Sequence, residues 1–493
     1  MSFYSPTLSN SPILSSDKQF AYELLAKEIR EQIQAGVLRP GDRLLSVRQM
    51  CQQKQLSPAT VRLAYQTLEG KGLIEVRPQS GYYVRLQPAK QQLTHPVKSS
   101  TQHIEPSTLR SQDLFHRIRE DATREDLVQF GVTIPAPDLL PAARLNNLMA
   151  RLARSGKVPL HLLGSAQGCR ELRVQIARRA FLAGCHLSPD EVLVTNGCTE
   201  ALNLALRAVC QPGDLVAIES PTYFGILQVI EALGLKVLEI PCHPHDGLDL
   251  DILQTSLGHF PVKAVVVVAN FSNPLGSLMP DENKQKLVDM LASRQIPLIE
   301  DDLYGDLYFS ERRPAVCRSF DRQGGVILCS SYSKVLTPAY RVGWMTCGRW
   351  MNEIERLKAA ANLFSAALPQ LTVAKYLESG GYDPLVRRMR RVYELKLQKM
   401  ADLVLRYFPQ GTRVTTPKGG FVLWVELPEP VDSLDLYHRG ISFGISTAPG
   451  YLFASDRRYY NYVRLNAGML SGENEWAIIK LGKIAEEQGG DSA

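Results

Sequence analysis

This 493-residue chain predicts a multidomain protein: a small winged helix-turn-helix followed by a large α/β domain. Three observations lead there. The length exceeds that of one ordinary folding domain. Residues 17–86 carry short helical patterns and then a hairpin pattern, whereas from about residue 114 apolar strands alternate with helices. Between the two, residues 87–113 hold Pro88, Pro96 and Pro106 among glutamines, serines and threonines, which is the composition of a linker.

The amino-terminal elements follow from local pattern. Tyr22, Leu25, Ile29 and Ile33 recur with helical period, and Gly36 can stop that helix. Arg39-Pro40-Gly41-Asp42 makes a turn. Ser46 caps a short second helix that runs through Cys51, with Val47 and Met50 facing inward. Ser57 caps the third, and Pro58 at its first position sacrifices no hydrogen-bond donor. Val61, Ala64, Tyr65 and Leu68 form its inner face, and Gly70 and Gly72 mark its end. Leu73–Arg77 and Tyr82–Leu86 read as strands joined by the turn Pro78-Gln79-Ser80-Gly81. In this arrangement the third helix enters the major groove of duplex DNA. Thr60, Arg62 and Gln66 face outward on it, while Arg48 and Arg77 suit phosphate contacts, with Ser57 at the helix start. A small helical domain that binds protein is the competing reading.

Composition sets limits. A 45% hydrophobic share supports a sizeable core, and a net charge of +6 by itself says little about nucleic acid. Residues 21–86 nevertheless carry ten Lys or Arg against six Asp or Glu, so the basic excess is placed where DNA would bind. Nine scattered cysteines without zinc-type spacing read as free thiols in a reducing cytosol. The amino terminus lacks the basic-then-apolar pattern of a signal peptide, and the apolar run 264–269 is too short to cross a bilayer. A DNA-associated cytoplasmic protein is therefore expected, with no membrane partner and no metal.

In the large domain, residues 191–195, 215–218, 237–240, 264–268, 297–300 and 326–329 are strand candidates in a mostly parallel sheet covered on both faces. Ligand groups should gather at the carboxyl ends of such strands. From about residue 385, a long basic helix and the strand 421–427 indicate a smaller α/β subdomain.

Lys334 lies in Ser330-Ser331-Tyr332-Ser333-Lys334, seven residues before Arg341. A lone lysine is ordinarily a solvated charge. Here Ser331 and Ser333 can donate to a phosphate or to the local backbone, and Arg341 can bind a dianion bidentately. Thr195-Asn196-Gly197-Cys198-Thr199-Glu200 joins a strand to a helix that begins near Glu200; amides at such a helix start hold anions, with Gly197, Cys198 and Thr199 as contacts. The run 329–344 resembles the Schiff-base lysine segment of pyridoxal-phosphate enzymes, and for that cofactor Asp301 would suit the pyridine nitrogen, with Asp302 or a merely capping Asp301 as rivals. Tyr304 and Asn273 can reach a ring oxygen, though Asn273-Pro274 is also an ordinary turn. Tyr223 can stack on a ring or simply fill core. Arg464, in the apolar run Tyr462-Val463-Arg464-Leu465, needs an anionic partner: a substrate carboxylate or a structural salt bridge.

Two resemblances add to this. Pro40-Gly41-Asp42-Arg43-Leu44, Ser46-Val47-Arg48, Ser57-Pro58-Ala59-Thr60-Val61, Leu68-Glu69 and Ser80-Gly81-Tyr82-Tyr83-Val84 resemble the GntR family of bacterial regulators, with Leu45 where proline is usual. Residues 114–485 resemble fold-type-I aminotransferases through Gly164, Gly168, Glu171-Leu172-Arg173, Gly197, Pro221-Thr222-Tyr223, Asn273-Pro274, Asp301, Tyr304, Lys334, Arg341, Arg387-Arg388-Met389-Arg390, Tyr393 and Arg464. Leu275 replaces the usual threonine, Ala339-Tyr340 a Gly-Leu type pair, and Leu163 a tyrosine that reaches a neighbouring site. The fusion resembles the MocR subfamily of transcription regulators. That resemblance implies pyridoxal 5'-phosphate as an aldimine on Lys334, an amine or amino-acid effector, a double-stranded DNA operator and a head-to-tail homodimer. An active aminotransferase that keeps a DNA-binding appendage is the alternative, and a repressor with a dead pocket a third.

Overall fold

The computed structural model describes residues 21–34, 38, 42–70, 73–77, 81–84, 105–108, 113–156 and 164–490. They form two compact units, Met1–Pro88 and Ala89–Ala493. Gly36, the Arg39-Pro40-Gly41 turn, Gly72, the Pro78–Ser80 turn, most of the linker and Leu163 lie outside the described residues.

In the first unit, α1 is Ala21–Gln34, α2 Val47–Lys54, α3 Pro58–Gly70, β1 Ile74–Arg77 and β2 Gly81–Val84. Ser46 and Gln49 cap α2 reciprocally: the Gln49 amide donates to Ser46 Oγ, and the Ser46 amide to Gln49 Oε1. The helix runs past the expected Cys51 to Lys54, because nothing in Gln52-Gln53-Lys54 opposes helix; left-handed Gln55 ends it. Ser57 Oγ accepts the Thr60 amide at 3.1 Å, as an N-cap should. Val61, Ala64, Tyr65 and Leu68 are buried together with Leu25, Ile29 and Met50. Truncating Leu68 to alanine there would cost about 2–5 kcal/mol. β1 and β2 pair antiparallel, Ile74 opposite Val84. Backbone bonds from Leu44 to Tyr82 and from Val84 to Asp42 fasten the segment before α2 to this wing.

The second unit opens with β3 (Ser107–Thr108), α4 (Asp113–Asp121), β4 (Val128–Gln129), α5 (Ala142–Arg154) and α6 (Arg170–Ala180). It continues through β5 (Val192–Thr195), α7 (Cys198–Val209), β6 (Leu215–Ser220), α8 (Phe224–Ala232), β7 (Lys236–His243), β8 (Gly247–Leu248), α9 (Leu250–His259), β9 (Val262–Val267) and α10 (Asp281–Ser293). Then come β10 (Leu298–Asp301), β11 (Val326–Ser331), β12 (Gly343–Thr346), α11 (Met351–Asn362), α12 (Ala367–Glu378) and α13 (Tyr382–Tyr407). The chain closes with β13 (Arg413–Val414), β14 (Val422–Glu426), α14 (Ser433–Ser442), β15 (Ile445–Ser446), β16 (Ala448–Pro449), β17 (Tyr462–Asn466) and α15 (Glu475–Gly490).

The main sheet has the order β3-β7-β6-β9-β10-β11-β12-β5. β7, β6, β9, β10 and β11 are mutually parallel, and their residues are buried on both faces, as continuous apolar runs predict. Two strands go beyond the sequence reading. β12 is antiparallel to both neighbours and separates β5 from β11; its short run Gly-Trp-Met-Thr carries no strong period. Ser107–Thr108, assigned to the linker, is an antiparallel edge strand on β7. Two residues fixed only by backbone pairing leave no side-chain signature.

The smaller subdomain is a four-stranded sheet, β13-β14-β17-β16, packed on α13, α14 and α15 through Met400, Val404, Leu423, Val463, Leu465 and Leu481. β4 pairs with β15, so residues 128–129 join this subdomain from far upstream. All nine cysteines are free. No helix among the described residues is long and apolar enough to cross a membrane.

Candidate cofactor and effector site

Strand register gathers the charged residues. β5 and β11 point the same way because β12 reverses between them, and Thr195, Gly343 and Ser331 stand in line across the three strands. Asp301 ends neighbouring β10. The segments that leave these strands, 196–199, 302–304 and 332–334, therefore open on one edge of the sheet.

At one end of the site lies an anion cradle. Gly197, φ +86°, caps α7, which begins at Cys198 rather than near Glu200. The Arg341 guanidinium lies across it and donates to Asn196 O at 3.2 Å. A Cβ on Gly197 would sit 2.3 Å from an Arg341 nitrogen, and one on Gly343 2.5 Å from the Gly197 carbonyl carbon, so both positions need glycine. Arg341 itself has φ +50° and is exposed, as is Thr199. First-turn amides of a helix beside a guanidinium are groups suited to hold an anion. Ser331 Oγ accepts the Ser333 amide, whereas buried Ser333 Oγ has no hydrogen-bond partner.

Cys198 differs from its neighbours in the cradle. Its thiol turns away and donates to Asp301 Oδ1 at 3.4 Å, leaving only its backbone amide for an anion. Burial pushes the Asp301 carboxyl up to about 7, while the Cys198 thiol and Lys334 pull it back. Asp302 points elsewhere: it takes the Arg313 guanidinium and the Asn270 amide, at 2.8 Å for the latter. Adjacent carboxylates on the same strand end are thereby separated, one committed to a salt bridge and one to the site.

Lys334 Nζ is 6.0 Å from the Tyr304 ring centre and donates to Thr133 O. Burial and nearby Arg464 lower its pKa to about 8. The buried Tyr304 hydroxyl makes no hydrogen bond; Thr133 approaches it without suitable geometry. Tyr223 lies half-buried, close enough to Asp301 and Arg464 for both charges to act on its hydroxyl. Gly225 leaves room for its ring, since a Cβ there would fall 2.3 Å from a Tyr223 ring carbon.

Arg464 on β17 is fully buried. It donates to Gly131 O and, at 3.4 Å, to Asn273 Oδ1, and its Nε is unpaired. No carboxylate among the described residues pairs with it, which removes the structural salt bridge offered by the sequence. Burial lowers its pKa to about 10. Asn273 thus faces Arg464 through its amide oxygen.

Gly131 and Thr133 are the site residues that the sequence did not reveal. The segment 130–136 is strapped over the site: Asn466 Nδ2 donates to Val132 O and Ile134 O, and the Ala136 amide donates to Tyr393. Its contacts with Lys334 and Arg464 are made mainly by carbonyls, which any residue type carries. A clue existed only at Gly131, where a Cβ would meet Ser446 Oγ at 2.5 Å.

In the first unit, Arg48, Ser57, Arg62 and Gln66 are exposed and Thr60 is half-buried, its hydroxyl 2.8 Å from that of Ser57. Arg77 lies on β1, its side chain outside the described residues.

The orphaned Ser333, Tyr304 and Arg464 atoms and the glycine-lined cradle fit one anionic, polar aromatic group that bears a phosphate. Comparison with known proteins agrees. The pattern of the family "Aminotransferase class I and II" matches residues 125–476, and that of "Bacterial regulatory proteins, gntR family" residues 21–84. The uncharacterized HTH-type transcriptional regulator YdcR of Escherichia coli is 37% identical over 95% of this chain and 99% of its own length. The 2-aminoadipate transaminase of Thermus thermophilus is 31% identical over 71% of this chain and 87% of its own. The crystal structure of LysN, the α-aminoadipate aminotransferase of Thermus thermophilus complexed with N-(5'-phosphopyridoxyl)-L-leucine, superposes with a TM-score of 0.71 at 29% identity, covering 77% of this chain and 96% of that one. The fold-type-I domain is a pyridoxal 5'-phosphate domain, and the chain belongs to the GntR/MocR-type regulators, in which a gntR-family DNA-binding unit is fused to an aminotransferase class I and II domain.

Proposed function

We propose that this protein is a DNA-binding transcription regulator that senses pyridoxal 5'-phosphate, or an amine or amino acid reacting with it, at Lys334. The observation that carries the reading is Arg464: a buried guanidinium with no carboxylate partner among the described residues, beside a lysine of lowered pKa, in a chain that also holds a winged helix-turn-helix. A carboxylate is the natural partner for such a group.

Bound cofactor supplies an aldehyde that links covalently to amines and a ring that accepts electrons. The protein's residues supply the rest. Gly197, Thr199, the Cys198 amide, Ser333 and Arg341 hold the phosphate, with Ser331 orienting the Ser333 amide. Asp301 holds a proton at the pyridine nitrogen, Tyr223 covers the ring, and Tyr304 and Asn273 serve the ring oxygen. Lys334, partly neutral near pH 8, is the attachment amine. Arg464 takes the effector carboxylate in place of Gly131 O. Arg48 and Arg77 contact phosphates of an operator; Thr60, Arg62 and Gln66 face base edges, and Ser57 stands at the helix start. Two such units on a head-to-tail homodimer would read two half-sites, and an effector that prefers one dimer arrangement would shift operator affinity.

The residues kept around Lys334 and the 31% identity to a transaminase support a second reading, full amino transfer between an amino acid and a 2-oxo acid. Parallel assays decide. For the regulator, amines or amino acids that perturb cofactor absorbance should also change operator affinity or transcription, and Lys334→Ala should abolish the effect. Steady turnover through both half-reactions, with operator binding indifferent to every such ligand, would establish the enzyme instead.

A further inference from the structure

A relay of side chains runs beneath the anion cradle. Lys358 on α11 is fully buried, and its Nζ donates to Asn362 Oδ1 at 3.4 Å. Asn362 Nδ2 donates to Glu200 Oε1. Glu200 Oε2 accepts the Asn196 amide, and the Asn196 side-chain amide reaches Oε1 at 3.3 Å. Asn196 O in turn receives Arg341. The chain therefore ends on the guanidinium that covers Gly197.

Charge explains why such a relay is needed. A carboxylate in the first turn of α7 is favourable while that helix end is empty. When a phosphate dianion binds at the same helix end, Glu200 repels it. Lys358 has no carboxylate within ion-pair distance among the described residues; burial lowers its pKa, while Glu200 and Glu355 raise it. A buried ammonium with only an amide partner is unfavourable unless a nearby negative charge offsets it.

We propose that Lys358 is a positioning residue for the cofactor phosphate: through Asn362 it neutralises and orients Glu200, so that one helix end tolerates both anions and Arg341 stays over the cradle. This rests on the reading of Gly197, Thr199 and Arg341 as the phosphate cup. A core lysine that only fills space between α7 and α11 would act on all ligands alike.

The test titrates cofactor-free, full-length protein with pyridoxal 5'-phosphate, pyridoxal and inorganic phosphate. Lys358→Met should weaken the two phosphate-bearing ligands about tenfold and leave pyridoxal within about twofold. Adding Glu200→Gln, which keeps a carbonyl for the Asn196 amide but removes the repelling charge, should restore most of the loss. Glu200→Gln alone should strengthen phosphate-bearing ligands relative to pyridoxal, and it supplies the test if Lys358→Met misfolds. Equal weakening of pyridoxal and its phosphate, no effect in either variant, or no recovery in the double variant overturns the proposal. Arg341→Ala separates the levels. If it too fails to discriminate phosphate, the cup itself is misplaced; if it discriminates strongly while Lys358→Met is silent, only the relay is wrong.

Discussion

The two units use charge in opposite ways. In the winged helix-turn-helix, Arg48, Arg62 and Gln66 are exposed over a core of Leu25, Ile29, Val61, Ala64 and Leu68, and no charged side chain is buried there among the described residues. In the aminotransferase domain the chemistry-bearing groups are desolvated. Burial drives Lys334 down to about 8, Asp301 up to about 7 and Arg464 down to about 10. Each shift is toward the neutral form, so at neutral pH the burial of each group should cost the cofactor-free fold some stability. Substituting the exposed residues of the first unit should therefore change DNA binding with little effect on stability. In the second, loss of function and gain of stability should coincide.

Lys334 offers the largest effect. Lys334→Ala should abolish borohydride trapping of the cofactor, leaving duplex DNA binding in place. Trapping at another lysine would break the assignment. In wild type, cofactor attachment should speed up as pH rises through about 8, because only the neutral amine attacks the aldehyde and Lys334 loses its proton there. A rate that stays flat from about pH 6.5 to about pH 9 would show that Lys334 is not poised in this way.

Arg464 comes next. Arg464→Met should weaken an amino-acid effector about a hundredfold while a matching amine without a carboxylate binds nearly as before, since a buried charge-assisted pair contributes on the order of 2–5 kcal/mol. Equal losses for both ligands would make Arg464 a structural residue.

Asp301 tests the stability side of the comparison. Its folded-state pKa lies above the unfolded value, so it favours the fold only at low pH, and that contribution disappears as pH rises toward about 7. Asp301→Asn should therefore raise the melting temperature of the cofactor-free chain. The gain should grow from about pH 4 to about pH 7 and stay flat above. The same variant should bind the cofactor more weakly. A carboxylate that proves neutral for stability at about pH 8 would place it in contact with water.

The same contrast decides what the sequence could reveal. Helix caps and apolar periods were legible, because Ser46, Ser57 and the inner face of α3 act through their own side chains. Asp301, Lys334, Arg341 and Arg464 were legible as unusual charges in apolar or glycine-rich runs. Their partners were less so. Gly131 O and Thr133 O are backbone atoms, 201 residues from Lys334 in the case of Thr133, and no residue type announces them. Cys198 reads as a cradle contact through its place at a helix start; its rotamer, which sends the thiol to Asp301, depends on a strand 103 residues downstream. The reversal at β12 was missed because four residues of mixed character carry no direction.

The smallest effects belong to the DNA-binding unit, and they discriminate most finely within it. Arg48 and Arg62 are both exposed cations, on α2 and α3, so each alanine substitution should change folding stability by no more than about 0.5 kcal/mol. Their effects on binding should differ in kind. Arg48, near the start of α2, is the proposed phosphate contact. Arg48→Ala should weaken all duplexes alike and lower the slope of log affinity against log salt by about one, the counterion released by a single contact. Arg62 lies on the outward face of α3, one turn from Gln66. Arg62→Ala should cost about 1–3 kcal/mol on the preferred sequence, little on random duplex, and relax specificity at one base position. If Arg62→Ala shifts the salt slope and leaves sequence preference untouched, α3 sits on the backbone and the reading of its outer face must be redrawn. Stability measured on the same samples completes the contrast: a melting temperature that falls with either substitution would mean that charge in this unit, as in the larger one, is tied to the fold.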